Sequence, residues 1–377
     1  GMKKLLYIFL GLSLMFGCAD NSTSSNQDII EPELYTLSIS NTNGGSVDST
    51  GGIYESGDEI IITATANEGY SFQNWSGDEN STANPLIITI YDDISVTANF
   101  VPQDLTSFNQ LSIVTQLSDL VDESSGLVLL NNNLITFNDS GGSNSLYEID
   151  ILNGEVIRTV DIINATNNDW EDISVDSEYI YIGDFGNNYG NRQDLLIYKI
   201  SISDFLNSAD NSVYAEEINF SYSDQTSFQS NPYNSNFDAE SIISLNDSLY
   251  VFTKNWVDGK SNVYSISKNA GNYIASKIDS VDVQGLITAA EYNINSNTVT
   301  LLGYDTDSPF IIELSNFNES NFSQGLISKF PLIVPETSSI QTEGLTNIDN
   351  YYYISAEDYL GNPQVLYRIS KDSLSNN

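Results

Sequence analysis

Residues 169–186 read DWEDISVDSEYIYIGDFG, and the order of features in this stretch indicates how most of the chain folds. An acidic corner comes first, and residues 179–182 then alternate aromatic and β-branched side chains. A Gly-Asp-Phe-Gly turn ends the run. Alternation of this kind predicts a half-buried β-strand, and the glycines predict a tight turn after it.

The acidic corner recurs along the chain. Each copy is followed by a β-rich run, a polar turn and a further β-rich run, and the copies are centred on Glu123, Glu171, Glu240, Glu291 and Glu343. A period of roughly fifty residues with four strands per unit is typical of a β-propeller. We therefore predict an all-β chain in which residues 104–377 form a five-bladed β-propeller, with run 111–115 completing the last blade. The long interval between Glu171 and Glu240 leaves a six-bladed ring as the alternative.

Residues 34–100 carry a different pattern of short β-rich runs and glycine turns, with the motifs GGSV, ITATA, NWSGD and SVTANF. This pattern resembles the divergent internalin-type B-repeat, also called the bacterial repeat domain. The resemblance implies a small β-grasp-like module that serves as an extracellular spacer or adhesive unit. Trp75 and Phe72 are then core aromatics, with stacking on a sugar as the alternative.

The N-terminal residues resemble a bacterial lipoprotein signal peptide. Lys3 and Lys4 precede the apolar run 5–16, and Gly17 stands directly before Cys18. The resemblance implies a signal peptide at residues 1–18, lipidation of Cys18 and a flexible tether at residues 19–33. The chain would then be attached to a membrane of the bacterial cell envelope, at the outer membrane or the cell surface.

Composition excludes several classes of function. The chain has 12 Lys and Arg residues against 51 Asp and Glu residues, for a net charge of −39, and such a field repels nucleic acid. It contains no histidine and one cysteine, which excludes Ser-His-Asp hydrolysis, histidine zinc sites and a disulfide framework. Any catalysis must therefore use carboxylates, Lys, Tyr or a hard metal ion.

The innermost strand of each propeller blade lines the central channel, so the recurring glutamates are expected to meet around one axis. Three interpretations remain open: binding of backbone N–H groups in the neighbouring blade, coordination of a cation, and catalysis by a carboxylate assisted by a metal. The candidate ligands for Ca²⁺ are Glu171, Asp184, Asp139 and Asp305, and the catalytic candidates are Glu171 and Asp172. The further channel or ligand candidates are Lys254, Arg192 and Trp170, with a solvated loop position favoured for Arg192.

The motifs ESSGL, FNDSGGSNSLYEID, YIYIGDFGNN and TEGL resemble a group of secreted propellers that includes phytase-like, esterase-like and SdiA-regulated proteins. This resemblance implies a calcium-dependent hydrolase as one candidate function. The chain has no basic cluster to hold a phosphate, which argues against a phosphoesterase. The favoured hypothesis is a monomeric, surface-anchored binding or scaffold protein with a small-molecule, glycan or protein ligand, and it leaves open whether any catalysis occurs.

Overall fold

The structure is a computed structural model, and it describes residues 32–67, 69–102, 108–306, 308–335 and 340–375. The chain divides into two compact units at Asp104–Leu105. The signal peptide, Cys18 and nearly all of the tether lie outside the described residues. Within the described ranges, no helix has the length and apolarity needed to cross a bilayer.

The first unit is a small β-module with one main sheet. Its strands are β1 Leu34–Asn41, β2 Gly45–Val47, β3 Gly51–Glu55, β4 Glu59–Ile62, β5 Ala64–Ala66, β6 Tyr70–Gly77, β7 Leu86–Thr89 and β8 Ile94–Pro102. The main sheet has the order β3-β1-β8-β6, with β1 and β8 parallel, and the pairs β2-β5 and β4-β7 form two further ribbons. Trp75 is fully buried, donates its indole N–H to the carbonyl of Ala83 at 3.0 Å and packs against Phe72. The prediction of a core role for Trp75 is confirmed.

The second unit is built from groups of four antiparallel strands, here called blades 1 to 5 in chain order; parallel pairing adds a fifth strand to blade 1 and joins the outer strands of blades 2 and 3. Strand β9 is Ser112–Gln116. Blade 1 contains β10 Ser124–Leu130, β11 Asn133–Asn138, β12 Ser145–Ile149 and β13 Val156–Ile162. Blade 2 contains β14 Trp170–Val175, β15 Tyr179–Asp184 and β16 Leu196–Ser201; after α1 Ile202–Asn207 and β17 Ser212–Val213, it is completed by β18 Glu216–Tyr222.

Blade 3 contains β19 Ala239–Leu245, β20 Ser248–Thr253, β21 Ser261–Ser267 and β22 Gly271–Val281. Blade 4 contains β23 Leu286–Asn293, β24 Thr298–Asp305, β25 Ser308–Ser315 and β26 Leu326–Pro331, and blade 5 contains β27 Thr342–Ile348, β28 Tyr351–Ala356 and β29 Val365–Ser370 together with β9.

These sheets are arranged as a propeller around one axis. The inner strands β10, β14, β19, β23 and β27 each contact the next, and β27 contacts β10 again. Five buried apolar clusters lie between neighbouring blades, and the cluster between blades 5 and 1 includes Leu127, Leu134, Tyr353 and Leu366. In the described chain, the long interval after Glu171 holds the rest of blade 2, α1, β17 and a loop, and it contains no additional sheet.

The ring is closed by a strand from the start of the unit. Strand β9 pairs antiparallel with β29, which confirms the prediction that the run before the first corner completes the last blade. Asn109 also exchanges two hydrogen bonds with the backbone of Ser375, at 2.7 and 2.8 Å. Pairing the two ends in one sheet removes an open edge that would otherwise be available for aggregation.

Asp172 on β14 links the inner strands around the axis. One oxygen of this buried carboxylate accepts hydrogen bonds from the backbone N–H of Ile242 on β19 at 3.0 Å and of Ala290 on β23 at 3.2 Å. On the other side, a Cβ on Gly126 would lie 2.7 Å from the backbone nitrogen of Ile173, so only glycine fits there. Asp172 thus fills the axis and joins the inner strands of three blades.

We expect Asp172→Ala to lower the free energy of unfolding of the propeller by about 3 kcal/mol, because it leaves two buried N–H groups without an acceptor. Asp172→Asn should cost less, since it keeps an acceptor oxygen. Urea unfolding followed by tryptophan fluorescence measures both changes. Asp282→Ala, at an exposed position, is the matched control and should change stability by less than about 0.5 kcal/mol. Equal effects of the Asp172 and Asp282 variants would contradict the role of Asp172 at the axis.

Candidate functional site

Three of the recurring glutamates sit on β-bulges at the start of inner strands. The pairing register shifts around Glu171 on β14, Glu240 on β19 and Glu343 on β27. A bulge removes one residue from the strand ladder and re-aims its side chain. All three bulged glutamates are buried and line the same pocket at one end of the axis, here called the acidic pocket.

The acidic pocket has a volume of about 210 Å³. Its walls combine carboxylates with one lysine, two amides and three aromatic side chains: Asp139, Glu171, Glu240, Glu343, Lys254, Asn188, Gln341, Tyr233, Trp256 and Tyr304. The rings of Tyr233 and Trp256 pack edge to face with their centres 5.0 Å apart. The pocket therefore offers both carboxylate oxygens and an aromatic surface to a ligand.

Three carboxylates converge in one corner of this region. Oxygen atoms of Asp139, Asp169 and Glu171 all lie within 4.8 Å of one another. Gly186 makes this approach possible, because a Cβ there would lie 2.0 Å from Glu171 Oε1 and 2.4 Å from Asp169 Oδ2. We call these three residues the carboxylate triad.

Burial and mutual repulsion favour protonation of these acids. Burial, and then the charges of Asp139 and Asp238, raise the pKa of Asp169 to about 7. Burial and the charge of Glu240 raise the pKa of Glu171 well above its ordinary value. Burial likewise raises the pKa of Asp139, and this effect exceeds the opposing hydrogen bond from the backbone N–H of Ser140. A cation bound beside such groups would lower their pKa and favour their ionised forms.

The two cationic side chains of the region are engaged by other acids. Lys254 is buried, its Nζ lies 3.3 Å from Glu240 Oε1, and it also lies over the rings of Trp256 and Tyr304. Burial lowers the pKa of Lys254, but Glu240 and further acids raise it by more, so the net pKa is well above the ordinary value. Among the described residues, no Lys or Arg forms an ion pair with the carboxylate triad.

Arg192 organises the loop that carries Gly186. Its guanidinium donates to Asp184 Oδ1 and to the carbonyl of Gly186, both at 2.9 Å. Asp184 also accepts from the backbone N–H groups of Asn168 and Asp169, so its carboxylate is already surrounded by donors. The expectation of a solvated Arg192 is wrong, because its side chain is only 16% exposed and is held by the GDFGNN turn. Asp184 thus fixes the backbone at Asn168 and Asp169, and through it the position of the triad.

Two of the five predicted channel glutamates lie elsewhere. The bulge positions of β10 and β23 hold Ser125 and Thr288, which leaves Glu123 exposed and places Glu291 beyond the bulge of β23. The sequence repeats were aligned on their glutamates, but the equivalent position in each blade is the bulged residue. In blades 1 and 4 that residue is not a glutamate. Asp305 is also exposed and faces Lys329, so it does not join the carboxylate triad.

Trp170 and Asp172 were predicted to face a ligand, and the structure places both in structural roles. Trp170 is fully buried between blades 1 and 2, where it packs on Phe137 and Tyr198. Asp172 binds backbone N–H groups at the axis, the role that one interpretation gave to the glutamates. Its position directly after the bulge turns it away from the acidic pocket and toward the neighbouring inner strands.

Sequence reasoning left five residues that line the acidic pocket without a role, namely Asn188, Tyr233, Trp256, Tyr304 and Gln341, and it gave none to Gly186 beside the triad. It placed Asp169 and Asp238 in acidic corners but did not name them as ligands. One signal was present, since DWE at 169–171 and DAE at 238–240 repeat an Asp two residues before the bulged Glu. The two aspartates differ in the fold. Asp238 accepts from the backbone N–H of Asn187 at 2.6 Å and from the indole of Trp256 at 2.7 Å, whereas Asp169 faces the triad.

Comparison with known proteins identifies the first unit. Residues 35–104 match the family model of the divergent InlB B-repeat domain, which confirms the resemblance seen in the sequence. No curated protein matches the chain.

Solved structures similar to this chain include a hypothetical protein from Leishmania major, with 10% identity and a TM-score of 0.40 over 69% of this chain and 90% of that one. A putative exported protein from Bacteroides fragilis has 12% identity and a TM-score of 0.35 over 69% and 94%. A putative oxidoreductase (glucose dehydrogenase) from Thermus thermophilus has 8% identity and a TM-score of 0.36 over 69% and 99%. These values are too low to carry an argument about function.

The buried acids make the stability of the propeller depend on pH. Burial raises the pKa of Glu343 from 4.5 to about 7, while Lys254 and the amide of Gln341 act in the opposite direction. Between about pH 4.5 and pH 7, Glu343 is therefore protonated in the folded chain and ionised in the unfolded chain. Stability should fall as pH rises from about 4.5 to about 7 and then level off for this group.

Urea unfolding of the parent and of Glu343→Gln between pH 5 and pH 8 tests this dependence. The variant should lose about 2 kcal/mol of the pH-dependent change, since each pKa unit is worth about 1.4 kcal/mol. Glu155→Gln, which removes an equal charge at an exposed position, should keep the full slope. If both variants show the same slope, the buried Glu343 is not the source of the effect.

Proposed function

We propose that this chain is a cell-surface binding protein whose propeller holds a hard divalent cation, Ca²⁺, at the carboxylate triad. The observation that carries the proposal is the convergence of Asp139, Asp169 and Glu171, with no lysine or arginine of the described residues in an ion pair with them. Like charges at this separation require a counter-charge when they are ionised. A divalent cation supplies that charge.

The ligand chemistry supports calcium over other metals. Carboxylate oxygens suit hard cations, and Ca²⁺ takes six to eight oxygen ligands in a flexible geometry. Each of the three residues brings one oxygen to the cluster, so at least three positions on the ion stay available to water or to an oxygen of a bound ligand. Asp184 and Asp305, which the sequence also suggested as ligands, are not part of this proposal. Asp184 is paired with Arg192, and Asp305 is exposed and does not line the acidic pocket.

The pocket beside the triad suits an oxygen-rich ligand. Tyr233 and Trp256 form an aromatic wall, and Asn188 and Gln341 add amide groups next to the carboxylates. An aromatic face and convergent polar groups are the usual components of a small-molecule site. A glycan fits this combination, since its hydroxyl groups can complete the calcium shell while a sugar face packs on the aromatic rings.

The B-repeat match supports a location at the cell surface or outside the cell. Attachment to a membrane through a lipid on Cys18, and a monomeric propeller, remain part of the proposal. In this arrangement the first unit acts as a spacer between the envelope and the binding domain. Metabolic labelling with a fatty-acid analogue tests the anchor, and Cys18→Ser should abolish the label.

A metal-dependent hydrolase is the second candidate, and one observation favours it. Glu171 belongs to the triad and also hydrogen-bonds the side chain of Glu240, whose pKa is raised first by burial. A carboxyl group that carries a proton beside a cation can act as a general acid or base. Phosphate and carboxylic esters should be screened with the parent and with Glu171→Gln. Turnover that survives this change would exclude Glu171 as the catalytic residue.

We expect calcium to raise the melting temperature of the propeller. At a concentration one hundred times the Kd, binding adds about 2.7 kcal/mol, which corresponds to several degrees for a unit of this size. Asp169→Asn should abolish the shift by removing a ligand charge, and Gly186→Ala should abolish it by placing a methyl group between two ligands. Differential scanning fluorimetry and calorimetric titration provide the measurements.

Asp305→Asn is the matched control for calcium binding, because Asp305 is acidic but lies outside the acidic pocket. It should bind calcium like the parent. The cation proposal would fail if the parent showed no shift at millimolar calcium, or if Asp169→Asn kept the full shift.

A further inference from the structure

A second cavity lies at the opposite end of the same inner strands. It has a volume of about 560 Å³ and is lined by all five inner strands, with apolar walls formed by Leu127, Leu129, Ile173, Val175, Ala290 and Leu345. On β14, Glu171 lines the acidic pocket, whereas Ile173 and Val175 line this one. We call it the apolar pocket, and its volume is in the range of small-molecule sites.

The two pockets are separated at the axis. Asp172 lies between Glu171 and Ile173 in the chain, and its carboxylate bridges to the backbone of Ile242 and Ala290. The inner strands around it are in direct contact, as the close packing of Gly126 shows. Binding of a ligand in the apolar pocket therefore does not require a cation in the acidic pocket.

Two buried carboxylate oxygens lack a hydrogen-bond partner of normal geometry among the described residues. Glu291 lines the pocket, and its Oε1 accepts from Thr346 at 3.1 Å, but its Oε2 is buried without a partner. The Oδ1 atom of Asp172 is also buried without a hydrogen-bond partner, and the whole Asp172 side chain is buried. Buried polar atoms without partners are rare in native proteins, because each costs free energy.

The surroundings define what kind of group would satisfy these oxygens. A carboxylate only accepts hydrogen bonds, so the partner must be a donor, and a positive charge offsets the burial of the anion. The lining residues include two carboxylates, and Asp176 already accepts hydrogen bonds from Lys268 and Tyr181. Glu291 alone is therefore left to meet a cation, whereas a hard metal ion usually takes several carboxylate oxygens. At the rim, Lys268 is already paired with Asp176 at 3.0 Å. The charge of Lys371 also acts on Glu291, but its Nζ donates to Asn347 Oδ1 and to the carbonyl of Asp349 and forms no ion pair with Glu291.

We propose that the apolar pocket binds a small organic ammonium ion, with its charged head on Glu291 and its hydrocarbon body against the walls of the inner strands. The strongly negative net charge of −39 favours the approach of such a cation. The pocket thereby gives the protein a second ligand of a different chemical class from the one proposed for the acidic pocket.

Calorimetric titration with hexylammonium, hexanol and hexanoate at pH 8 and moderate salt tests the proposal. Hexylammonium should bind at least tenfold more tightly than hexanol, and hexanoate should not bind. Glu291→Gln should weaken hexylammonium binding at least tenfold, which corresponds to about 1.4 kcal/mol. Val175→Phe, which narrows the pocket without removing a charge, should weaken binding of the same probe.

Glu155→Gln is the charge-matched control and should bind hexylammonium like the parent. Glu291→Gln should also keep the calcium-induced shift in melting temperature, which shows that the variant is folded and separates this test from that of the acidic pocket. Equal affinity for hexylammonium and hexanol would overturn the proposal. So would the absence of binding at millimolar hexylammonium, an unchanged affinity of Glu291→Gln, or displacement of the amine by calcium.

Discussion

The close approach of five inner strands around one axis is the constraint on which the rest of the propeller depends. Asp172 makes this approach possible, because one carboxylate oxygen serves backbone donors from two neighbouring inner strands. Gly126 allows the contact on the other side of the same strand. A side chain at the axis also divides the channel, and this division gives the fold two pockets of opposite character in place of a pore.

The β-bulges of the inner strands place the acidic side chains of the candidate site. Each bulge before the axis turns one residue of an inner strand toward the end of the channel, and in three blades that residue is a glutamate. Of these glutamates, Glu240 pairs with Lys254 and Glu343 accepts a hydrogen bond from the amide of Gln341. Nearby, Arg192 pairs with Asp184. The triad beside Gly186 has no ion-pair partner among the described residues, and this local excess of carboxylates is the physical basis for the proposed cation.

The sequence predicted the architecture better than the site. Alternating strands and a recurring corner were enough to identify the propeller and its closing strand, because strand period and turn residues are local signals. The site depends on the register of the inner strands, and the acidic residues do not mark that register in every blade. In blade 4 the repeat was aligned on Glu291, which lies three residues after the bulge at Thr288. The need for glycine at position 186 arises from two side chains that only the fold brings together, so no local pattern indicated it.

A crystal structure grown with calcium, with a parallel soak in a lanthanide that gives an anomalous signal, tests the central claim most directly. The account predicts one strong peak within about 2.3–2.6 Å of oxygen atoms from Asp139, Asp169 and Glu171. An empty triad at saturating calcium, or a peak held by other residues, would contradict it.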